Sequence, residues 1–181
     1  MVRFLGHLVL GILIFGAGNS ILADDKTPAA AANHLAPLER FAGEWTVHGK
    51  WSSGEELHAR NVYEWGLGNK ILRAKTFVMS DKGEYQRYDA VMAWHPKKKS
   101  LFIISFSFDG AMSENIIEPK DADTLQIGFT PFQEGEPSKV RQTIQFKDKD
   151  HFTWQVLLKG DTDWQEIINA TWERKPSPTG H

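Results

Sequence analysis

Residues 84–95, EYQRYDAVMAWH, hold the densest mixture of groups able to bind or react. In a strand, alternate side chains share a face. One face then carries Tyr85, Arg87, Asp89 and His95; the other carries Gln86, Tyr88, Ala90, Met92 and Trp94. Carrying the alternation from Val78 across the turn at Ser80–Gly83 points the first set inward. Arg87 and Asp89 would then be buried two residues apart, where charges must pair. An interior Arg beside a Tyr is able to anchor a carboxylate. The opposite register turns Tyr88, Ala90, Met92 and Trp94 inward and leaves Arg87 and Asp89 in water. Both registers stay open at this point.

The other chemical groups are sparser. His34, His48, His58, His95, His151 and His181 show no H-x-H, H-x-x-x-H or HExxH spacing, so no metal site is expected. His48 and His58 fall near opposite positions on neighbouring strands and read as a surface pair. There is no cysteine, which excludes disulfides, a thiol nucleophile and a thiolate metal site. Gly-x-Ser-x-Gly is absent, and Ser105 and Ser107 have no His beside them in sequence. Glu64 and Asp89 are able to do acid–base work in principle, but nothing singles them out. The basic run PKKKS at 96–100 reads as a solvated hairpin tip. No catalytic residue is assigned.

The elements that must position these groups are strands. From Gly43 to Lys175 the apolar residues recur with period two, broken by turn signals such as Ser53-Gly54, Gly68-Asn69 and Asp109-Gly110. About ten strands follow, each linked to the next by a short turn, after a short helical piece around Leu35–Phe41. A flat meander of that size exposes two edges and one apolar face. Closing it into an up-and-down barrel removes both problems; an open sandwich is the alternative. The expected fold is therefore all-β, an antiparallel meander barrel with a short N-terminal helix. If Trp45 points inward, the favoured inward set includes Trp51, Tyr63, Trp65, Phe102, Phe106 and Trp154. With Tyr85, Arg87, Asp89 and His95 these form the expected ligand-binding lining of an aromatic cavity, against the alternative of a filled core.

A short helical segment, then Gly43-Glu44-Trp45 opening the first strand, a hairpin meander, and Arg174 ending the last strand together resemble the calycin group. That group includes lipocalins, fatty-acid-binding proteins and nitrobindin-like haem barrels; ten strands suit the latter two better than eight-stranded lipocalins. The chain is also similar to secreted bacterial lipocalin-like proteins. The resemblance implies that Gly43, Trp45 and Arg174 form a structural plug, with the Arg packed over the Trp at the closed end. It implies a small apolar or amphipathic ligand. A haem or reactive-nitrogen role would require one cavity His, with His95 or His151 as candidates, and no cofactor is predicted. An enzyme acting on a small hydrophobic substrate and a structural or partner-binding module, with Phe77, Met79 and Trp94 on an outer patch, are the other readings.

Composition bounds the rest. The chain has 181 residues and a net charge of −2, without the basic footprint of a nucleic-acid binder. Arg3, the apolar run from Phe4 and NSILA before Asp24 have the layout of a secretory signal peptide over 1–23. The alternative is a retained anchor, but the run is short of the roughly 20 residues a span needs. A flexible leader over 24–34, a barrel domain over 35–175 and a disordered tail over 176–181 complete the expected organisation, with no membrane span after cleavage and a secreted or periplasmic location. N-terminal sequencing of protein recovered from the secreted or periplasmic fraction should begin at Asp24; recovery of intact Met1 in a membrane pellet would refute the cleavage.

Overall fold

The structure is a computed structural model, and it describes residues 33–129 and 139–176. The expected signal peptide, most of the leader and most of the tail lie outside the described residues. Asn33 and His34, the last two leader positions, are held. The Asn33 carboxamide accepts from the Leu35 N–H at 3.2 Å and donates to Glu39 at 2.8 Å, and the His34 ring stacks on Trp94 at 3.9 Å.

One six-residue 3-10 helix, Ala36–Phe41, precedes the strands, with proline in its first turn. At three residues per turn, Leu38 and Phe41 lie on one side, and both are buried. Ten strands follow: β1 (Gly43–Lys50), β2 (Glu56–Gly66), β3 (Ile71–Ser80), β4 (Gly83–His95), β5 (Ser100–Ser107), β6 (Met112–Pro119), β7 (Thr124–Phe129), β8 (Val140–Phe146), β9 (His151–Lys159) and β10 (Trp164–Arg174). Each pairs antiparallel with the next, and β10 closes back on β1 into a barrel. The closure satisfies both edges, as the meander demanded. Among the described residues no helix is long and apolar enough to cross a membrane.

The start of β1 sets the register of the closure. Trp45 faces Asn61 on β2 and Arg174 on β10. Alternation from Trp45 then assigns faces around the sheet, with two interruptions. In β4 an extra residue, Arg87, bulges between the pairs Thr76–Tyr88 and Phe77–Gln86. In β10 a second bulge falls between Glu166 and Ile168. One inserted residue exchanges the two faces of everything beyond it. Hence Tyr85 faces inward before the β4 bulge, while Tyr88, Ala90, Met92 and Trp94 share the inner face after it.

One end of the barrel is packed solid. Trp45 is fully buried, and its indole N–H donates to the Phe41 carbonyl at 2.7 Å. Phe152 lies 4.7 Å from Trp45, and Phe41 lies 4.9 Å from Phe146 and 5.1 Å from Tyr63. Beneath Trp45, the Arg174 guanidinium stacks at 4.2 Å from the ring. It donates to the carbonyls of Arg40 (2.7 Å), Lys149 (2.9 Å) and Ala42. This ties the helix, the β8–β9 turn and β10 together around one cation–π contact. Burial pulls the guanidinium below its ordinary value, and Asp150 at 3.5 Å works in the other direction. Gly43 sits at φ +116°, where a Cβ would also land 2.9 Å from the Arg174 Nη1.

Two substitutions test this plug in urea unfolding. Gly43→Ala forces a side chain into backbone that favours glycine and should cost about 1–3 kcal/mol. Trp45→Ala, which empties a fully buried site, should cost about 3–5 kcal/mol. An unfolding midpoint unchanged in either would contradict the plug.

Candidate functional site

Above the plug the interior changes character. A side chain that points inside a closed barrel gains exposure only from space inside that barrel. At the closed end the inward residues Trp45, Leu72 and Ile117 are at most 1% exposed. Farther along the same faces, inward Trp51, Ala59, Thr76, Ser105, Asn115 and Trp154 are all half-buried. These positions keep partial exposure, whereas inward Val47, Val156 and Ile168 beside them are at most 4% exposed, so the upper inner wall is loosely packed on one part of its circumference and tightly on another.

Its two sides differ. On the β9–β1 side, Trp154 stands edge-on to Trp51 at 6.0 Å and to Trp172 at 6.3 Å. The Trp154 indole N–H donates to Gln142 on β8 at 2.9 Å, which fixes the ring. On the β5–β6 side, the Ser105 and Ser113 hydroxyls hydrogen-bond at 2.7 Å. Asn115, with its amide turned to satisfy both ends, accepts from Ser113 at 3.2 Å and donates to the Gly128 carbonyl at 3.2 Å. At the floor, level with Trp45, the Asn61 amide donates to the Tyr63 hydroxyl at 3.0 Å. Burial pushes the Tyr63 phenol well above the ordinary tyrosine range, against the opposing pull of Asn61. From Asn61 up to the level of Val78, the inward positions of the described strands carry neither Lys, Arg, Asp, Glu nor His.

Charge begins at the open rim. Arg87 lies 5.4 Å from the Tyr88 ring and 3.9 Å from the Asp109 carboxylate. The Tyr88 hydroxyl foremost, against partial burial, and then Tyr85 and Asp109, raise its already high value. Hydrogen bonds from Ser107 and the Ala111 N–H, with Arg87 behind them, hold Asp109 below the usual carboxylate range. Tyr85 meets Phe108 at 5.4 Å beside them.

The expected lining residues divide accordingly. Trp51 and Trp154 face the lumen, and Tyr85 and Arg87 stand at its rim. Tyr63 and Trp65 face inward too, but at the sealed end, where they pack against the core. Asp89, His95, Phe102 and Phe106 are corrected to the outer face. The bulge at Arg87 turns Asp89 outward, where it pairs with Arg73 at 3.5 Å. Phe106 is paired with Asp89 and is 50% exposed; Phe102 follows on the same face of β5. His95 meets Phe102 at 5.5 Å on the outside, lining a surface hollow of about 330 Å³. A second hollow of about 270 Å³ lies outside the closed end between Arg40 and Asp123. The first hollow touches inward-facing Trp94, and the second touches Leu125 and Phe146 at the sealed end. Sequence reasoning passed over Asn61, Thr76, Ser113, Asn115 and Gln142. Asn61 was legible on the Trp45-facing side of β2, and Thr76 opposite it on β3; Ser113, Asn115 and Gln142 depend on the register of strands beyond the bulge.

Histidines lie elsewhere. His48 and His58 pair on the outer face, with Nδ1 atoms 2.6 Å apart. His151 Nδ1 donates to the Asp148 carboxylate at 2.9 Å beside the β8–β9 turn. No His among the described residues enters the lumen, so the residues present do not fit a haem iron there. Among the described residues there is also no group of three or more His, Asp or Glu placed to hold a metal.

Comparison with known proteins gives the fold and no family. No family model matches the chain, and no curated protein matches it. Among solved structures, the protein Rv2717c from M. tuberculosis aligns over 80% of this chain and 99% of its own, with TM-score 0.55 and 10% identity. The S-type phycobiliprotein lyase CPES from Guillardia theta aligns over 77% and 90%, with TM-score 0.47 and 12% identity. A redesigned β-barrel, mFAP1, bound to DFHBI, aligns over 75% and 95%, with TM-score 0.40 and 14% identity. At these identities the likeness is one of barrel architecture.

Tyr63 supplies a pH test. Its folded-state value is raised, so its contribution to stability is complete below the ordinary tyrosine value of 10.0 and is lost as pH climbs above it. In a 295 nm titration, wild type and Tyr63→Phe should coincide while folded and differ by one of the three tyrosines after unfolding. A difference between them in the folded state would place the phenol in contact with water.

Proposed function

We propose that this chain is a binding barrel for a small apolar or amphipathic molecule, of calycin-like type, working outside the cytoplasm after removal of residues 1–23. One observation carries the binding reading: inside a closed barrel sealed at one end, Trp51 and Trp154 remain half-buried, across the lumen from a hydrogen-bonded Ser105–Ser113 pair. A core built only for stability buries its tryptophans against partners, as Trp45 and Trp172 are buried here. Partly open aromatic rings beside a few ordered polar groups make the lining that small-molecule sites use. An apolar ring docked on Trp51 and Trp154 gains from burial and from aromatic contact of about 0.5–1.5 kcal/mol per pair. The extracytoplasmic location rests on the layout of residues 1–23 alone.

No described side-chain arrangement favours catalysis over binding. Ser105 has only another serine as its hydroxyl partner, and the nearest ionised groups stand at the rim. The test is native mass spectrometry of protein purified without added ligand, beside a denatured control. A non-covalent mass lost on denaturation, and absent from Trp154→Ala, is the expected result. A bare mass in wild type, together with no change in tryptophan emission across a panel of apolar probes, would overturn the reading.

A further inference from the structure

Resting on the lumen reading, we infer that the barrel selects an uncharged ligand presenting an N–H or O–H donor at its inner end, and that Asn61 receives that donor. Asn61 is only 8% exposed, yet its Oδ1 has no hydrogen-bond partner. The other end of the amide is committed, with Nδ2 donating to the Tyr63 hydroxyl at 3.0 Å. Buried polar atoms are paired in native proteins with few exceptions, and an orphan acceptor asks for an explanation.

Position supplies one. Asn61 lies between Trp45 and Thr76 in the ladder, level with the top of the plug. Below it Tyr63 and Ala74 are buried; opposite it Thr76, and above it Ala59 and Val78, are half-buried. The free oxygen is itself fully buried at the boundary between the sealed end and the half-buried positions above it, so a ligand's donor reaches it only by entering that boundary. Ser100 Oγ, the other unpartnered buried atom among the described residues, sits opposite His95 on the outer-facing register and has no such setting.

The charge of the ligand follows from the same wall. No ionised group faces the lumen between Asn61 and the rim. Arg174 lies beyond Trp45 and is occupied by three backbone carbonyls. Arg87 stands at the rim with Asp109. A carboxylate or ammonium drawn to the floor would lose its water and find no counter-charge. A phenol, indole or primary amide would lose little and would pair the orphan oxygen.

The test uses four probes of one shape: 2-naphthol, 2-methoxynaphthalene, naphthalene and 2-naphthoate, titrated by quenching of tryptophan emission. With wild type, 2-naphthol should bind about tenfold or more tighter than 2-methoxynaphthalene, since an unpaired polar group penalises the wrong ligand. The naphthoate should be weakest. Asn61→Leu should bring naphthol and methoxynaphthalene within about twofold of each other, whereas Ser100→Ala, which removes the other unpartnered oxygen on the outer-facing register, should leave their ratio unchanged. Equal affinities in wild type overturn the inference while the lumen reading stands. So does loss of the ratio in Ser100→Ala instead. If no probe binds wild type, the lumen reading itself fails. Should Asn61→Leu not fold, the wild-type ratio and the Ser100→Ala control still decide.

Discussion

Everything in this barrel hangs on the contact between Trp45 and Arg174. Ten strands close only if the last meets the first in a fixed register, and this pair is where they meet. The guanidinium carbon lies over the indole at 4.2 Å, and its N–H groups donate to the carbonyls of Arg40, Ala42 and Lys149. A planar, permanently charged fork suits that task better than a lysine ammonium, which has no flat face to stack. The indole N–H in turn holds the Phe41 carbonyl, so the helix is drawn over the end of the barrel. Gly43 allows the strand to start beside the guanidinium without a Cβ in the way.

Sealing one end has consequences at the other. Large side chains spent on the plug leave the inner positions above it to smaller ones, among them Ala59, Thr76, Ser105 and Ser113. Tryptophans at 51 and 154 keep part of their surface exposed. The polar groups inside are arranged mostly among themselves: serine to serine, tryptophan to glutamine, asparagine to tyrosine. Such pairing permits hydroxyls and amides in an interior without ionised side chains. Charge is kept to the rim and to the outer face, where Arg60 holds Glu84 at 2.8 Å over the ring of Phe77.

The bulge at Arg87 does more to define the lumen than any single side chain. Without it, Arg87 and Asp89 would continue the inward face begun by Tyr85, and β5 would turn Phe102 and Phe106 inward against them. The inserted residue gives the inner wall Tyr88, Ala90 and Met92 from β4 and Leu101, Ile103 and Ser105 from β5. An ion-lined, phenylalanine-rich cavity becomes a neutral one with a serine stripe. The phenylalanines pass to the outside, where Phe106 and Met112 face each other across β5 and β6, both about half exposed.

The sequence by itself determined the strands, their turns, the need for closure and the plug. Period-two alternation and glycine-marked turns are local properties, and hairpin connections leave little choice of neighbour. Gly43, Trp45 and Arg174 were legible through the resemblance to a known barrel pattern, in which the first and last strands carry these residues. Trp51 follows Trp45 by even steps on one strand, and Asn61 lies on the next, so their faces could be read before an interruption intervened. Beyond β3 only the tertiary structure decided. EYQRYDAVMAWH alternates acceptably in either register, and one unpaired residue at Arg87 costs little locally. What fixes it is the closed sheet, in which Ala90 and Met92 lie opposite Ala74 and Leu72, all four buried. A face assignment carried along the chain is thus reliable up to the first bulge. After that it belongs to the closed sheet as a whole.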